Sequence, residues 1–185
     1  KIEGELVSIL DSDDFFHEEK IYKQVKVFNR DKELAICATW ANYYDENLKL
    51  VEKFESSLDE SEIKRRLYLV NIFPHSSIMY RKDLAINIGW YSNLFEYSQD
   101  YDLTLKLIKK NKLYLLKENL TNISHPTNSM TKSHKYDLIR IKENIQILKN
   151  NLKSVKLKKV DIINLKYLVE INYLKLAIKE IKNKF

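Results

Sequence analysis

The stretch Leu6-Val7-Ser8-Ile9-Leu10-Asp11-Ser12-Asp13-Asp14 places a short apolar run directly against a cluster of acids. Five mostly apolar residues ending abruptly in carboxylates describe a buried strand that stops at the surface. In open α/β sheets, ligands bind beyond the carboxyl ends of strands, so Asp11–Asp14 sits where a site belongs. Three carboxylates within four residues repel one another unless a cation or hydrogen-bond donors lie among them. A hard divalent ion, Mg²⁺ or Mn²⁺, takes oxygen ligands and bridges one or two carboxylates to a diphosphate. The competing reading is structural, with Asp13 or Asp14 capping the helix that follows and the others solvated.

Outward from this stretch, strands alternate with helices, the pattern of an α/β layer fold. Ile21, Val25 and Phe28 recur at helical spacing between Glu18 and Asn29, and Leu34–Tyr44 is rich in β-branched and aromatic residues and reads as a strand able to continue into a hairpin. Asp59–Leu69 opens on acids and reads as a helix capped by Asp59 or Ser61. Ser76–Arg81 is strand-like, and Lys82–Ile88 is a short helix stopped by Gly89. After an aromatic loop, Trp90–Tyr97, a helix is expected over Asp102–Lys110, a strand over Lys112–Lys117 and a polar loop over Asn119–Lys132. The remainder reads as two Lys-rich helices, Tyr136–Leu152 and Val160–Lys182. The boundary falls near residue 133, giving a main unit over 1–133 and a basic helical extension over 134–185.

Composition narrows the function classes. The 185 residues carry 44% hydrophobic and 31% charged side chains, an ordinary balance for a folded protein. No apolar run approaches the ~20 residues needed to span a bilayer as a helix. The single cysteine, Cys37, forbids an internal disulfide and lies in an apolar stretch that suits a buried thiol. The net charge of +6 is uneven: from His134 onward there are 13 Lys and Arg against 5 Asp and Glu, and before it 19 against 21. In the last helix Ile163, Tyr167, Ile171, Leu174, Ile178 and Ile181 form an apolar stripe with lysines outside it. Such a stripe is expected to pack on the main unit or a neighbour; the alternative is contact with an anionic membrane surface through 136–184. Specific nucleic-acid binding is not expected, because no recognition module accompanies the charge.

Further candidates lie between and after the acids. Ser98-Gln99-Asp100-Tyr101-Asp102 precedes an amphipathic helix; its carboxylates are helix-start acids or, alternatively, include a general base for an attacking hydroxyl. Trp90 could stack on a sugar ring or fill the core, and His125, like most lone histidines, could be structural.

Taken in order, these segments resemble the inverting family 2 glycosyltransferases of the GT-A fold. Leu10-Asp11-Ser12-Asp13-Asp14 resembles that family's "LDxDD" form of the DxD motif. His75-Ser76-Ser77 through Arg81 is similar to its "hsSvmfR" strand, and Gly89-Trp90-Tyr91 to its "GgYde" turn. Gln99-Asp100-Tyr101-Asp102-Leu103 resembles the "EDydLwlRl" helix start, and Leu120–Ser129 the segment bearing the family's histidine, here His125. The resemblance implies a Rossmann-like, GT-A-type fold using a nucleotide-diphospho-sugar donor, Mg²⁺ or Mn²⁺, and a glycan or lipid-linked hydroxyl acceptor. It implies Asp11 near the nucleotide, Asp13 on the metal, His125 near metal or diphosphate, Asp100 as base, and His75, Trp90, Tyr91 and Asp102 on the acceptor side. Transfer would invert the anomeric carbon, in bacterial cell-surface polysaccharide or glycan synthesis, in the cytoplasm or at the inner face of the plasma membrane. The family's opening strand has no counterpart here, which implies a chain incomplete at its front and inactive alone. Gln99, Thr104 and Lys106 depart from the family pattern and bear on acceptor choice. Two rivals remain: a phosphohydrolase of the haloacid-dehalogenase type, with a DxD nucleophile, and a non-catalytic basic helical module.

Overall fold

A computed structural model of the chain describes residues 3–124, 134–154 and 159–182. Its spine is β3 (Leu34–Tyr44), whose first half, Leu34–Ala38, is wholly buried. A strand covered on both faces needs no polar alternation, and Leu34-Ala35-Ile36-Cys37-Ala38 has none. β3 runs parallel to β6 (Lys112–Ser124) from Leu34 opposite Lys112 to Tyr44 opposite Ser124. Its other edge pairs antiparallel with β5 (Met79–Arg81) at Ile36 and Cys37, then with β4 (Leu50–Phe54) from Ala41 onward. β1 (Leu6–Ser8) adds antiparallel to β5, and β2 (Phe15–Phe16) to β6, so the sheet order is β1-β5-β3-β6-β2 with β4 alongside β3.

Helices cover both faces, the expected α/β architecture. On one, α1 (Lys20–Arg30) lays Phe28 against Leu34, Cys37 and Met79. On the other, α2 (Glu60–Leu67) and α4 (Gln99–Ile108) bury Ile63, Leu67, Leu103 and Leu107 against Ile36 and Ala38. The short α3 (Lys82–Asn87) ends at Gly89, whose φ of 88° is the left-handed geometry that suits glycine. Asp59 caps α2 by accepting from the Glu62 N–H, as its position before the acids predicts.

The sequence reading needs correction at several places. The buried face of α1 is Lys20, Gln24 and Phe28, whereas Ile21 is exposed. Polar residues hold core positions there because each is satisfied: Lys20 Nζ donates to Ser8 Oγ (3.2 Å) and Gln24 Oε1 (2.9 Å). Gln24 Nε2 in turn donates to the carbonyls of Cys37 and Ser77. Burial lowers the Lys20 ammonium to about 7. Residues 119–124 continue β6 and are not loop, because β3 supplies partners as far as Ser124. His75–Ser77 forms a single 3-10 turn before β5, and α4 starts at Gln99, not Asp102.

The basic segment forms α5 (His134–Ser154) and α6 (Lys159–Lys182), which pack on each other through Ile141, Ile145, Leu148, Leu165 and Val169. The stripe singled out from periodicity faces outward: Ile163, Tyr167 and Leu174 are 65%, 66% and 62% exposed. α6 carries apolar residues on two sides, so its strongest sequence stripe was not its packed one. Docking to the main unit instead uses Ile147, which joins the main core, and the nearly buried Asp161, paired with Arg65 at 2.7 Å. Above all, the buried Glu143 carboxylate accepts backbone N–H bonds from Glu96, Tyr97 (3.1 Å) and Ser98 (2.8 Å), the residues leading into α4.

Glu143→Ala leaves those amides without their acceptor and is expected to cost about 1–3 kcal/mol. Urea unfolding of the chain measures it; a loss below ~0.5 kcal/mol, typical of an inconsequential surface change, would show that the loop does not depend on Glu143.

Candidate active site

The acids after β1 form a closed turn, with the Asp14 N–H bonded to the Asp11 carbonyl at 3.1 Å. The capping alternative does not hold: α1 begins behind Glu19, and β2 lies between the acids and that helix. The turn is pinned by the fully buried Ser76, whose hydroxyl accepts the Asp11 N–H (3.0 Å) and donates to Asp14 Oδ2. Asp14 Oδ1 accepts the Ser124 N–H at 3.0 Å, tying the turn to the end of β6. Asp14 is therefore a structural clamp with both oxygens engaged. Burial is the main cause that raises its pKa, with its bonds to Ser76 and Ser124 opposing.

His75, one residue before the pinning serine, joins the two halves of the site. Its Nδ1 lies 3.2 Å from Asp11 Oδ1 and its Nε2 3.3 Å from the Tyr91 hydroxyl. His75, Tyr91 and Asp100 line one small hollow, so residues far apart in sequence face a common space. Burial works against a charged imidazole here, but the Asp11 hydrogen bond and the charges of Asp100, Asp11 and Asp14 outweigh it and raise the His75 pKa. Conversely, the His75 hydrogen bond holds the Asp11 carboxyl below its ordinary range.

Asp100 sits in the first turn of α4, where the helix dipole favours a negative charge. Its Oδ2 accepts from Asn71 Nδ2 at 3.0 Å. Desolvation nevertheless dominates and raises its pKa, against the opposing charge of His75 and the bonds from Tyr101 and Asn71. The result is a carboxylate with more affinity for a proton than a solvated one has, held beside a hollow.

The other sequence candidates are placed unevenly. Asp13 is exposed on the turn and bonds to no described side chain. Trp90 packs edge-on against Tyr80 and Tyr91 beside the main core, with φ of 58°. Asp102 does not line the hollow of Asp100; it pairs with Lys106 at 2.6 Å on the side facing α5. Helical geometry requires this, since residues two apart point to different sides. His125 lies outside the described residues. Sequence reading gave no role to Ser76, Asn71 or Glu143; only Glu143 left a signal, as a rare acid in a basic segment.

Among the described residues no three His, Cys, Asp or Glu side chains cluster to hold a metal. With both Asp14 oxygens engaged and Asp11 Oδ1 bonded to His75, Asp13 is an exposed carboxylate of the turn that no described side chain engages. One carboxylate together with a substrate's phosphates suits Mg²⁺ or Mn²⁺, which keep few protein ligands.

Residues 1–89 match the model of Glycosyl transferase family 2. This stretch, 89 of the 185 residues, is similar to that family. A curated relative, the uncharacterized glycosyltransferase MJ1057 of Methanocaldococcus jannaschii, is 23% identical over 75% of this chain and 50% of its own length. Among solved structures, S. aureus TarS 1-349 in complex with UDP-GlcNAc aligns with TM-score 0.58 and 15% identity, over 91% of this chain and 47% of that one. The mannosyltransferase PcManGT from Pyrobaculum calidifontis, in complex with GDP-Man and Mn²⁺, aligns with TM-score 0.61 and 14% identity, over 97% and 49%. The chain spans about half the length of the relatives it matches. Its fold is the GT-A type.

Because the folded pKa of His75 is raised, the stability it contributes is complete below the unfolded value of about 6.5 and is lost as pH rises through the folded one. In Asp11→Asn the imidazole is expected to titrate at lower pH than in the parent chain. NMR titration of the His75 ring reads this directly, and an unchanged midpoint would mean that Asp11 does not hold it.

Proposed function

We propose that the protein containing this chain transfers a sugar from a nucleotide-diphospho-sugar to a hydroxyl acceptor with inversion, and that Asp100 is the base. The observation that carries this reading is the shared hollow, in which Asp100 faces His75 while His75 holds Asp11 of the acidic turn. Asp100 takes the proton from the acceptor hydroxyl, whose oxygen forms its bond to the anomeric carbon as the bond to the diphosphate oxygen breaks. Attack and departure on opposite sides invert that carbon. Charge develops on the departing diphosphate, which a divalent ion held through Asp13 would stabilise when bound. Asn71 orients the Asp100 carboxylate, and His75, whose affinity for a proton is raised by Asp11 and Asp100, links the base to the acidic turn. Tyr91 anchors the imidazole from its other nitrogen and gives the hollow an aromatic wall.

The family match favours this reading over the phosphohydrolase and the non-catalytic module. The donor site would include Asp11 and Asp13, and His125 would lie near the diphosphate. Acceptor contacts would come from His75, Trp90 and Tyr91. No described helix is long and apolar enough to cross a membrane. The exposed stripe of Ile163, Tyr167, Leu174 and Ile178 on α6 supports peripheral contact with an anionic inner membrane surface, where lipid-linked glycans for the cell surface are built.

Asp100→Asn in the whole protein is expected to lower transfer about 10²–10⁴-fold with donor binding intact. Product formation and donor titration measured side by side test it, and near-normal transfer would end the assignment of Asp100.

A further inference from the structure

Beside Asp100 opens a groove of ≈ 740 Å³, walled on one side by the segments flanking α2 and α4 and on the other by α5 and α6. That volume is in the range of small-molecule sites. From the main unit come Asn71, Tyr97 and Tyr101, together with Asp100 itself. From the helical segment come Tyr136, Asn144 and Asn172, with three cations, Arg140, Lys175 and Lys179. Among the described residues, Asp100 is the one carboxylate on the lining. Among the described lining side chains, cations thus outnumber carboxylates.

We propose that this groove is the acceptor subsite, and that it takes a saccharide carrying an anionic group, phosphate or carboxylate, read by Lys175 and Lys179 with Arg140. The proposal rests on the transferase reading above and names its acceptor class. Three features converge on it. Tyr97 and Tyr136, edge-on at 5.0 Å, give the wall aromatic rings of the kind that pack on sugar faces. Asn71 donates to Asp100, while its Oδ1 is buried without a partner among the described residues. An unpaired buried acceptor is costly, and a substrate hydroxyl bound next to Asp100 would satisfy it. Lastly, cations lining a partly enclosed groove attract an anion more strongly than the same cations in open water. A neutral glycan can accept hydrogen bonds from them but forms no ion pair. The helical segment, on this view, selects the acceptor and, through Glu143, also holds the loop before Asp100.

The test is titration of the ¹⁵N-labelled chain with glucose 6-phosphate, glucuronate, glucose and inorganic phosphate. Glucose 6-phosphate or glucuronate is expected to bind at least ~10-fold tighter than glucose, a difference that two or three charge-assisted hydrogen bonds readily give. Whichever of the two binds tighter identifies the anion. The shifted amides should include Asn71, Tyr97 and Asn144, and Lys175→Ala/Lys179→Ala should abolish the preference over glucose without lowering the unfolding midpoint. Lys175→Glu should invert it. Equal affinity for glucose and both anionic sugars, a preference surviving the double substitution, or inorganic phosphate binding as tightly as the sugar phosphate would each overturn the proposal. The outcomes separate from those of the base assignment: Asp100→Asn can abolish transfer while the groove shows no anion preference, or retain transfer while the preference stands.

Discussion

The long parallel ladder between β3 and β6 is the constraint on which the site depends. It carries β6 as far as Ser124, whose N–H holds Asp14, and it leaves the opposite edge of β3 for β5, in front of which stand His75 and Ser76. Gln24 reinforces the arrangement from α1, binding a carbonyl of β3 and one of the 3-10 turn with a single amide. A one-residue slip of either pairing would reverse the face of every side chain beyond it. The acidic turn is therefore located by strands at both of its ends and by a serine across the sheet.

Holding carboxylates close together is electrostatically unfavourable, and the structure resolves this unequally. Asp14 surrenders both oxygens to hydrogen bonds and becomes scaffold. Asp11 is compensated by His75. Asp100, whose main perturbation is burial, keeps the raised proton affinity that suits a base. Similar side chains thus acquire different duties from their partners alone, and the histidine, responding to three of them, is the common counterweight.

The helical segment has more influence on the site than an appendage would. Glu143 closes the backbone donors ahead of α4, and Asp161 reaches Arg65 on α2. Both elements contribute to the groove beside Asp100, so the placement of the proposed base and the shape of its surroundings share one set of contacts. The outward apolar stripe on α6 stays available for a surface, because the helix packs through its other side.

Much was legible from local pattern. The β3 limits, the buried Cys37, the Asp59 cap, the Gly89 stop and the two terminal helices follow from periodicity and capping chemistry, which are properties of neighbouring residues. The order of Asp11–Asp14, His75–Arg81 and Asp100 was likewise visible and pointed to the family that residues 1–89 match. Other features were decided by partners remote in the chain. Nothing near Lys20 says that Ser8 and Gln24 will satisfy it in a core, and nothing near Asn119 says that β3 will extend β6 past it. Which face of α6 packs, which acid of the turn is clamped, and that Glu143 reaches the loop before α4 are outcomes of the same kind. Most elements and the chemical inventory were set locally, since short-range sterics and apolar spacing suffice for those. Which carboxylates are clamped and which keep a raised proton affinity followed from tertiary contacts, because desolvation and hydrogen bonding depend on groups that the fold, not the chain order, brings within reach.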